Sequence, residues 1–247
     1  MIRKLFGCVL VVSACAENPP AAAPPTAEAA PATTASAAPR RDGPPPTCPN
    51  GTRPAADGLV DDFESADGAL PALAGRQPSW RLDVAEHAKV SLPGKNLAAE
   101  AGGHEGSKRA MHFAGQTANE DMWGADLSLS LLKSGFYDAS KYAGVAFKIR
   151  SEKPNFNPRF KITDANSDPE GGLCKVQCWN SFGKELIVGP EWQHVELMWS
   201  DLKQQPDWGD VRPPTITQSK IKALQWSIYS GQAFDIWIDD IRFLECK

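Results

Sequence analysis

Close to the C-terminus the sequence runs Phe234-Asp235-Ile236-Trp237-Ile238-Asp239-Asp240-Ile241-Arg242-Phe243. Its Ile, Phe and Trp residues are typical of a β-strand that packs on a core. The parity of the apolar positions changes between Ile238 and Ile241, although side chains alternate strictly between the two faces of a strand. One extra residue at Asp239–Asp240, a β-bulge, would return every apolar side chain to the same face. The stretch therefore predicts a last strand with two carboxylates at a kink.

A second acidic stretch, Leu59-Val60-Asp61-Asp62-Phe63-Glu64, begins the region that can fold. Asp62 and Glu64 share a face there, and adjacent carboxylates such as Asp239 and Asp240 repel each other unless a cation holds them. We therefore predict one structural calcium ion where the first and last strands meet, with these four carboxylates as candidate ligands. The alternative is a set of solvated turn charges.

The N-terminus has the features of a bacterial export signal. In residues 1–14, Arg3 and Lys4 precede an apolar run that is too short to span a bilayer. The following Val12-Ser13-Ala14-Cys15 resembles a lipobox, which implies cleavage before Cys15 and lipid modification of its thiol; an ordinary signal peptide is the alternative. The protein is then expected in the bacterial cell envelope, lipid-anchored to the outer membrane rather than the inner one.

Residues 15–47 are rich in Ala, Pro and Thr and contain almost no large apolar side chain, which predicts a disordered tether. The chain has 26 Lys and Arg against 30 Asp and Glu, and losing Arg3 and Lys4 leaves 24 basic residues and a net charge of −6. Outside the tether's Arg40–Arg41 there is no basic cluster, so the sequence argues against a nucleic-acid partner. A monomer is expected.

Four cysteines remain once the signal and lipidation cysteines are set aside: Cys48, Cys174, Cys178 and Cys246. An even number in an exported chain argues for two disulfides. Cys174 and Cys178 are close enough to close a small loop, and Cys48 and Cys246 flank the first and last strands. A tetrathiolate zinc site is the alternative.

The remaining residues, 48–247, are enough for one well-packed domain. They show no strong amphipathic helix; about ten short runs such as Ala143–Arg150 alternate apolar with polar residues between Gly, Pro, Asn and Asp. This pattern predicts an all-β fold, an antiparallel β-sandwich. We assign Trp199, Trp226 and Trp237 to its core.

Several fragments together resemble one family: Leu59 to Glu64, Gly171-Gly172-Leu173-Cys174 with Cys178, Phe182-Gly183, and Phe234 to Phe243. Over roughly residues 57–247 they resemble the galactose-binding-like jelly rolls of carbohydrate-binding modules, most of all family 11, the β-glucan-binding modules of some endoglucanases. The resemblance implies a jelly-roll sandwich, saccharide binding, and a structural calcium near the chain ends. Family 11 lines its groove mainly with tyrosines, whereas this chain has only three. Sandwiches of the intermediate-associated protein 30 type have a similar outline and remain a competing resemblance.

A sugar-binding face needs aromatic rings for the CH faces of the sugar and polar groups for its hydroxyls. Outward strand positions and one loop indole supply both, and the predicted carbohydrate-binding residues are Trp123, Arg159, Lys161, Gln225 and Tyr229. Trp179 and Trp208 also lie in or beside loops, where Trp179 can equally cover the nearby disulfide.

No hydrolase motif such as Gly-x-Ser-x-Gly or His-Glu-x-x-His occurs in the sequence. We therefore predict a protein that is not an enzyme and that binds a polysaccharide at the cell surface. The alternative is a structural or protein-interaction domain on the same sandwich. Exposed aromatic residues along a groove would favour the first function, and tryptophans that are all buried would favour the second.

Overall fold

A computed structural model of the 247-residue chain describes residues 43–65, 67–91 and 99–247. The predicted signal peptide at residues 1–14, the lipidation of Cys15 and the tether as far as residue 42 lie outside the described residues and stay predictions. The described residues all belong to one compact unit, Ala38–Lys247. None of the helices within them has the length and apolarity that a membrane span requires.

The described part of the chain forms twelve strands and three single-turn 3₁₀ helices. The strands are β1 (Thr52–Asp61), β2 (Ser79–Val84), β3 (Lys89–Ser91), β4 (Ala99–Ala101), β5 (Arg109–Gln116), β6 (Ala125–Ser130), β7 (Gly144–Ser151), β8 (Arg159–Asp164), β9 (Phe182–Glu185), β10 (Gln193–Met198), β11 (Ile221–Ile228) and β12 (Ala233–Cys246). The helices are Pro169–Gly171, Trp199–Asp201 and Gln218–Lys220.

The strands form two antiparallel sheets. The seven-stranded sheet has the order β10-β7-β12-β5-β3, with β1 paired to β12 and β4 paired to β5. The five-stranded sheet has the order β2-β6-β11-β8-β9. The prediction of an all-β antiparallel sandwich is confirmed.

The core lies between the sheets, because each strand points the apolar side chains at its alternate positions inward. Phe147 of the larger sheet packs on Phe160 and Trp226 of the smaller one, with ring centroids 4.9 and 5.2 Å apart. All three side chains are fully buried. Rings from opposite sheets thus pack together in the core between the two layers.

The bulge predicted at Asp239–Asp240 is confirmed. The pairing of β12 with β7 shifts register between Asp239 and Arg242, and Asp240 has a positive φ of 49°. On both sides of the shift the apolar side chains point inward: Ile236, Ile238, Ile241 and Phe243 are completely buried.

The assignment of Trp199 and Trp226 to the core is confirmed, but the assignment of Trp237 is wrong. Trp237 lies on the outer face of the larger sheet, where its ring stacks on His112 with centroids 3.9 Å apart. The reason is parity: Trp237 precedes the bulge and lies between the inward-facing Ile236 and Ile238, so it must face outward.

Disulfide bonds join Cys48 to Cys246 and Cys174 to Cys178, the pairs that the sequence predicted. The first bond lies next to the antiparallel pairing of Thr52 with Cys246 and closes the two ends of the domain. The second closes a short loop between β8 and β9.

Candidate functional site

A cleft with a volume of about 580 Å³ lies on the outer face of the five-stranded sheet. Its floor comes from β6, β8 and β11, and its walls come from residues in the segments 122–124, 178–181 and 205–208 and from Tyr229. The lining residues are Met122, Trp123, Gly124, Asp126, Arg159, Lys161, Cys178, Trp179, Asn180, Ser181, Gln205, Trp208, Ser227, Ile228 and Tyr229.

Charged and hydroxyl side chains form the floor of the cleft. Ser227 pairs with Asp126 on one side and with Arg159 on the other, so the three side chains lie in a row across the sheet. Lys161 approaches both oxygens of the Asp126 carboxylate, at 3.1 and 3.3 Å, and the Ser227 hydroxyl donates to the same carboxylate. The ion pair leaves this part of the floor polar but without net charge.

A second polar cluster is centred on Glu185 at the edge of the cleft. Its Oε1 accepts hydrogen bonds from Arg159 at 2.9 Å and from the Tyr229 hydroxyl at 2.6 Å. The Arg159 guanidinium also donates to the carbonyl oxygen of Lys203. Burial and the hydrogen bond to Glu185 raise the pKa of Tyr229 to about 12, so the phenol remains protonated near neutral pH.

Three partly exposed indoles stand around this floor. The relative exposure is 44% for Trp123, 50% for Trp179 and 37% for Trp208, whereas Trp199 and Trp226 in the core are at 1% or below. Trp123 reaches its place because Gly124 follows it: a Cβ at that position would come within 2.2 Å of the carbonyl oxygen of Ile228. Large apolar rings left open beside hydrogen-bonding groups mark a surface built for a ligand.

The structure brings four of the five predicted carbohydrate-binding residues into one cleft: Trp123, Arg159, Lys161 and Tyr229. Gln225 lies on the same sheet, paired with Lys161, but it is not among the lining residues. Its amide group is buried and bonded at both ends, accepting from the Thr163 hydroxyl and donating to the Ser128 hydroxyl. Its direct contact with a sugar stays a prediction.

Other cleft residues were not among the predicted site residues. For Trp179 the sequence leaves two roles open, a loop indole that binds sugar and a cover for the disulfide, and in the structure it is the most exposed of the three cleft indoles. Trp208, Asp126 and Gln205 line the same cleft. For Trp208 and Trp179 the available signal was their position beside Gly209 and Cys178 in loops, where a strand no longer dictates burial.

The candidate calcium ligands lie at two register shifts, one in β1 near Asp61 and one in β12 near Asp239. Hydrogen bonds within the chain already engage them. Asp239 is buried and accepts from the amides of His104 and Asp240, at 2.8 and 2.7 Å. Oε1 of Glu64 accepts from the amides of Lys108 and Arg109 and from the Ser107 hydroxyl.

Asp61 was not among the predicted ligands, but it is the buried acid at the start of this region. Its carboxylate accepts from Trp80 Nε1 and from the amide of Phe63. Burial first, and then the nearby charges of Asp62 and Asp239, outweigh these hydrogen bonds and raise the pKa of Asp61 to about 6. Crowded, buried carboxylates are the kind of oxygen donor that a hard cation prefers.

Two observations weigh against a complete cation site. Asp240 is paired with Arg242 instead of facing a metal. Within residues 43–65, 67–91 and 99–247, no group of three or more His, Cys, Asp or Glu side chains is arranged to hold a metal ion. The donor chemistry fits calcium in kind, and the ion stays a prediction.

The arrangement in the cleft can bind a ligand that has both apolar faces and many hydroxyl groups. Indole faces on the walls suit the first, and the floor offers a lysine, a phenol, a carboxylate and a serine hydroxyl for the second. The nearby carboxylates, Asp126 and Glu185, each face a cation at about 3 Å.

Comparisons with known proteins place this cleft in context. Two solved structures from Clostridium thermocellum share the fold. One is a family 11 carbohydrate-binding module in complex with a β-1,3-1,4-mixed-linked tetrasaccharide, with 17% identity, a TM-score of 0.53, and 78% of this chain and 98% of that chain covered. The other is the family 11 module of the cellulosomal cellulase Lic26A-Cel5E, with 17% identity, a TM-score of 0.51, and 78% and 94% covered.

Among curated proteins no sequence matches the chain. The family model described as carbohydrate binding domain 30 matches residues 77–245, which is more than half of the chain. That span contains both sheets' central strands and every residue that lines the cleft. By this match, the chain belongs to the carbohydrate binding domain 30 family.

Proposed function

We propose that this protein binds a polysaccharide without cleaving it, as a monomeric lipoprotein at the bacterial cell surface. The observation that carries the proposal is the cleft on the five-stranded sheet, where three partly exposed tryptophans surround a polar floor. Membership of a carbohydrate-binding family makes a saccharide the ligand that this combination fits best.

The bound sugar rings stack on Trp123, Trp179 and Trp208, because the CH faces of a pyranose are apolar and match the indole faces. Lys161 and Tyr229 supply hydrogen bonds to hydroxyl groups from the floor. Each such bond replaces one to water and contributes only about 0.5–1.5 kcal/mol. The expected dissociation constants are therefore micromolar to millimolar, and several anchored copies gain avidity on one polymer.

The direct test is isothermal titration calorimetry of the chain without residues 1–15 against mixed-linked β-1,3-1,4-glucan, xylan and mannan. The glucan comes first because the family 11 module noted above was solved with such a tetrasaccharide. We expect saturable binding to at least one polymer and no release of reducing ends. Absence of binding below about 10 mM sugar would retire the proposal in favour of a structural or protein-interaction domain.

Single substitutions locate the site. Replacing Trp123 or Trp179 by Ala removes a stacking platform, and we expect at least a tenfold loss of affinity, the size typical of a tryptophan hot spot. Trp192→Ala is the matched control, because Trp192 packs beside Arg150 and His104 and does not line the cleft. Equal losses in all three variants would mean that the effect is not local to the cleft.

Anchoring rests on the lipobox-like Val12-Ser13-Ala14-Cys15. We expect the native chain to incorporate labelled palmitate and to fractionate with the outer membrane, whereas Cys15→Ser remains unlabelled. Equal labelling of the two chains would exclude Cys15 as the lipidated residue.

The structural calcium ion remains part of the proposal, with oxygens from Asp62, Glu64 and Asp239 and with Asp61 added. Because the ligands meet only in the folded chain, a saturating ion stabilises it by about 2.7 kcal/mol at a hundredfold excess over its dissociation constant. Thermal unfolding with calcium and with chelator measures this. Identical midpoints would remove calcium from the proposal.

A further inference from the structure

One wall of the cleft is built from two loops that are distant in sequence. The first, residues 172–181, carries the Cys174–Cys178 disulfide and Trp179. The second, residues 203–211, carries Trp208. Neither loop is held by a strand where the indoles are placed, since Trp179 and Trp208 both lie outside the strands. Besides the hydrogen bond from the Trp179 amide to the Ser167 carbonyl oxygen, contacts between the loops fix the mutual position of the two indoles.

Asn180 makes the first set of these contacts. Its side chain is buried, and its Nδ2 donates to the carbonyl oxygens of Gln205 at 2.9 Å and Trp208 at 2.6 Å. Its Oδ1 accepts from the amide of Gln205 at 2.9 Å. Both donors and the acceptor of one side chain are therefore used on the backbone of the Trp208 loop. Gly209 packs on it so closely that a Cβ there would lie 3.0 Å from the Asn180 Cβ.

Asp210 makes the second set, in the opposite direction. Its Oδ2 accepts from the amides of Lys175 and Val176, at 2.7 and 2.6 Å, inside the disulfide loop. Its own amide donates to the carbonyl oxygen of Gln177 at 3.1 Å. These backbone hydrogen bonds, that from Val176 first, hold the pKa of Asp210 below its usual value. Each loop thus contributes one side chain that forms hydrogen bonds with the main chain of the other loop.

The same wall is also joined to the floor. Gln205 Oε1 accepts from the Trp208 indole N–H at 3.1 Å, and Gln205 Nε2 donates to the Tyr229 hydroxyl at 3.0 Å. A change in the loop that contains Gln205 would therefore move a stacking ring and a floor hydroxyl together.

We propose that Asn180 and Asp210 are positioning residues, which hold Trp179 and Trp208 as one preformed wall so that saccharide affinity depends on hydrogen bonds made inside the wall. The inference rests on the proposed function of the cleft. Its physical basis is preorganisation: two loops that are already ordered lose less conformational entropy when the ligand binds. The disulfide lies in the same loop as Asn180, and the Asp210 carboxylate accepts hydrogen bonds from that loop.

The test compares Asn180→Ala, Asn180→Asp and Asp210→Ala with the control Asn157→Asp, an exposed position that does not line the cleft. Asn180→Asp keeps the acceptor for Gln205 but loses both donated hydrogen bonds. Asp210 is exposed, so its variant is expected to fold even where removal of the buried Asn180 does not. Affinity is measured against the same glucan, xylan and mannan panel. A ligand-free readout accompanies it: the NMR signal of the Trp208 indole N–H and the hydrogen-exchange rate of the Gln205 amide.

We expect Asn180→Ala to shift the Trp208 indole signal, to speed exchange of the Gln205 amide at least tenfold and to weaken binding at least tenfold. Asn180→Asp should show changes at least as large, because its buried carboxylate faces two carbonyl oxygens. Asp210→Ala should show smaller changes in the same three readouts, and Asn157→Asp none. If Asn180→Ala and Asp210→Ala both bind within twofold of the wild-type affinity, the inference is wrong while the proposed function of the cleft stands. Weaker binding with an unchanged indole signal and amide exchange also overturns it, because the residue then acts by touching the ligand. A wild-type chain that binds none of the panel refutes the proposed function, and this inference with it.

Discussion

The two sheets of the sandwich both carry tryptophans on their outer faces, but the rings are used differently. On the seven-stranded sheet, Trp237 stacks on His112 with an interplanar angle of 5°, and Arg150 lies over both Trp237 and Trp192, 4.7 and 5.5 Å from the ring centroids. On the five-stranded sheet, the indoles of the cleft stand apart and keep open faces.

A structural aromatic residue therefore differs from a binding one in whether its ring is covered, and not in whether it lies on an outer face. Trp237 projects from a strand, where neighbours across the sheet lie close enough to cover it. Trp179 and Trp208 project from loops and not from a strand. Cation–π and stacking contacts already engage the Trp237 ring. The rings of Trp179 and Trp208 would gain such contacts from the proposed ligand.

The largest effect expected separates stability from binding at the chain ends. The Cys48–Cys246 bond closes nearly the whole domain on the side of the seven-stranded sheet, so replacing both cysteines by Ala should lower the free energy of unfolding by about 5 kcal/mol. Saccharide affinity of the folded fraction should not change. Urea unfolding and calorimetric titration measure the two quantities.

The matched variant is Cys174→Ala with Cys178→Ala. This bond closes a loop across a sequence separation of only 4, so the same chain-entropy argument gives about 2 kcal/mol. Here affinity should fall, because the loop carries Trp179. If the long-range bond affected binding and the short one did not, the division of roles between the two regions would be wrong.

Sequence reasoning reached the sandwich and the terminal bulge because both follow from local parity. The apolar residues on either side of Asp239–Asp240 can share a face only if one residue is extra. It failed for Trp237, since hydrophobicity was given more weight than parity. It did not select Trp179 or Trp208, because their exposure depends on contacts such as Asn180 with Gln205 that join distant segments.

The strand boundaries repeat this lesson. Strand β9 begins at Phe182 and pairs Gly183 with Lys161. A glycine has no side chain to reveal the alternation. The short strands β3 and β4 were not anticipated, since three residues are too few to show a period of two. The charged floor residues were predicted from parity, but their pairing with Asp126 and Glu185 required the sheet register.

The next effect concerns Asp61, in the strand that the larger sheet pairs with β12. Its folded pKa of about 6 lies above the ordinary 3.8, so the folded chain binds this proton more tightly than the unfolded chain does. Its contribution to the free energy of unfolding is therefore greatest below pH 3.8 and is lost as the pH rises through 6, by about 3 kcal/mol at most.

Asp61→Asn isolates this contribution, because the other carboxylates are common to both chains. We expect the stability of the variant relative to wild type to improve between pH 4 and pH 7 in the presence of chelator. Calcium should cancel the improvement if the proposed ion binds there. A difference between the two chains that stays constant with pH would contradict the burial argument. Saccharide affinity serves as the control and should be equal.

A third effect tests the covered ring directly. Trp237→Ala removes the stack with His112 and the surface under Arg150, and we expect a loss of about 2–3 kcal/mol in the free energy of unfolding, less than for a fully buried tryptophan. Trp208→Ala on the other face should change stability by no more than about 0.5 kcal/mol. Affinity should respond in the opposite order. A loss of binding in Trp237→Ala would show that the outer face of the larger sheet also takes part.

The smallest effect sharpens the account of the cleft floor. Glu185 neutralises Arg159 and accepts from Tyr229, and its side chain is about half exposed. Glu185→Gln keeps an acceptor for the phenol but removes the charge beside the guanidinium. Because partly exposed ion pairs contribute only about 0.2–1 kcal/mol, affinity for a neutral glycan should change by less than about threefold.

The freed positive charge of Arg159 should instead increase binding of a uronic acid oligosaccharide, and added salt should reduce that gain. Both changes are measured by titrating wild type and variant with a neutral and an acidic oligosaccharide. The titrations are made at about 50 and about 500 mM NaCl, a range over which salt screening of exposed charges changes strongly. A large loss for the neutral sugar with no gain for the acidic one would mean that Glu185 binds the ligand itself, and that the floor is more than a neutral support for the three indoles.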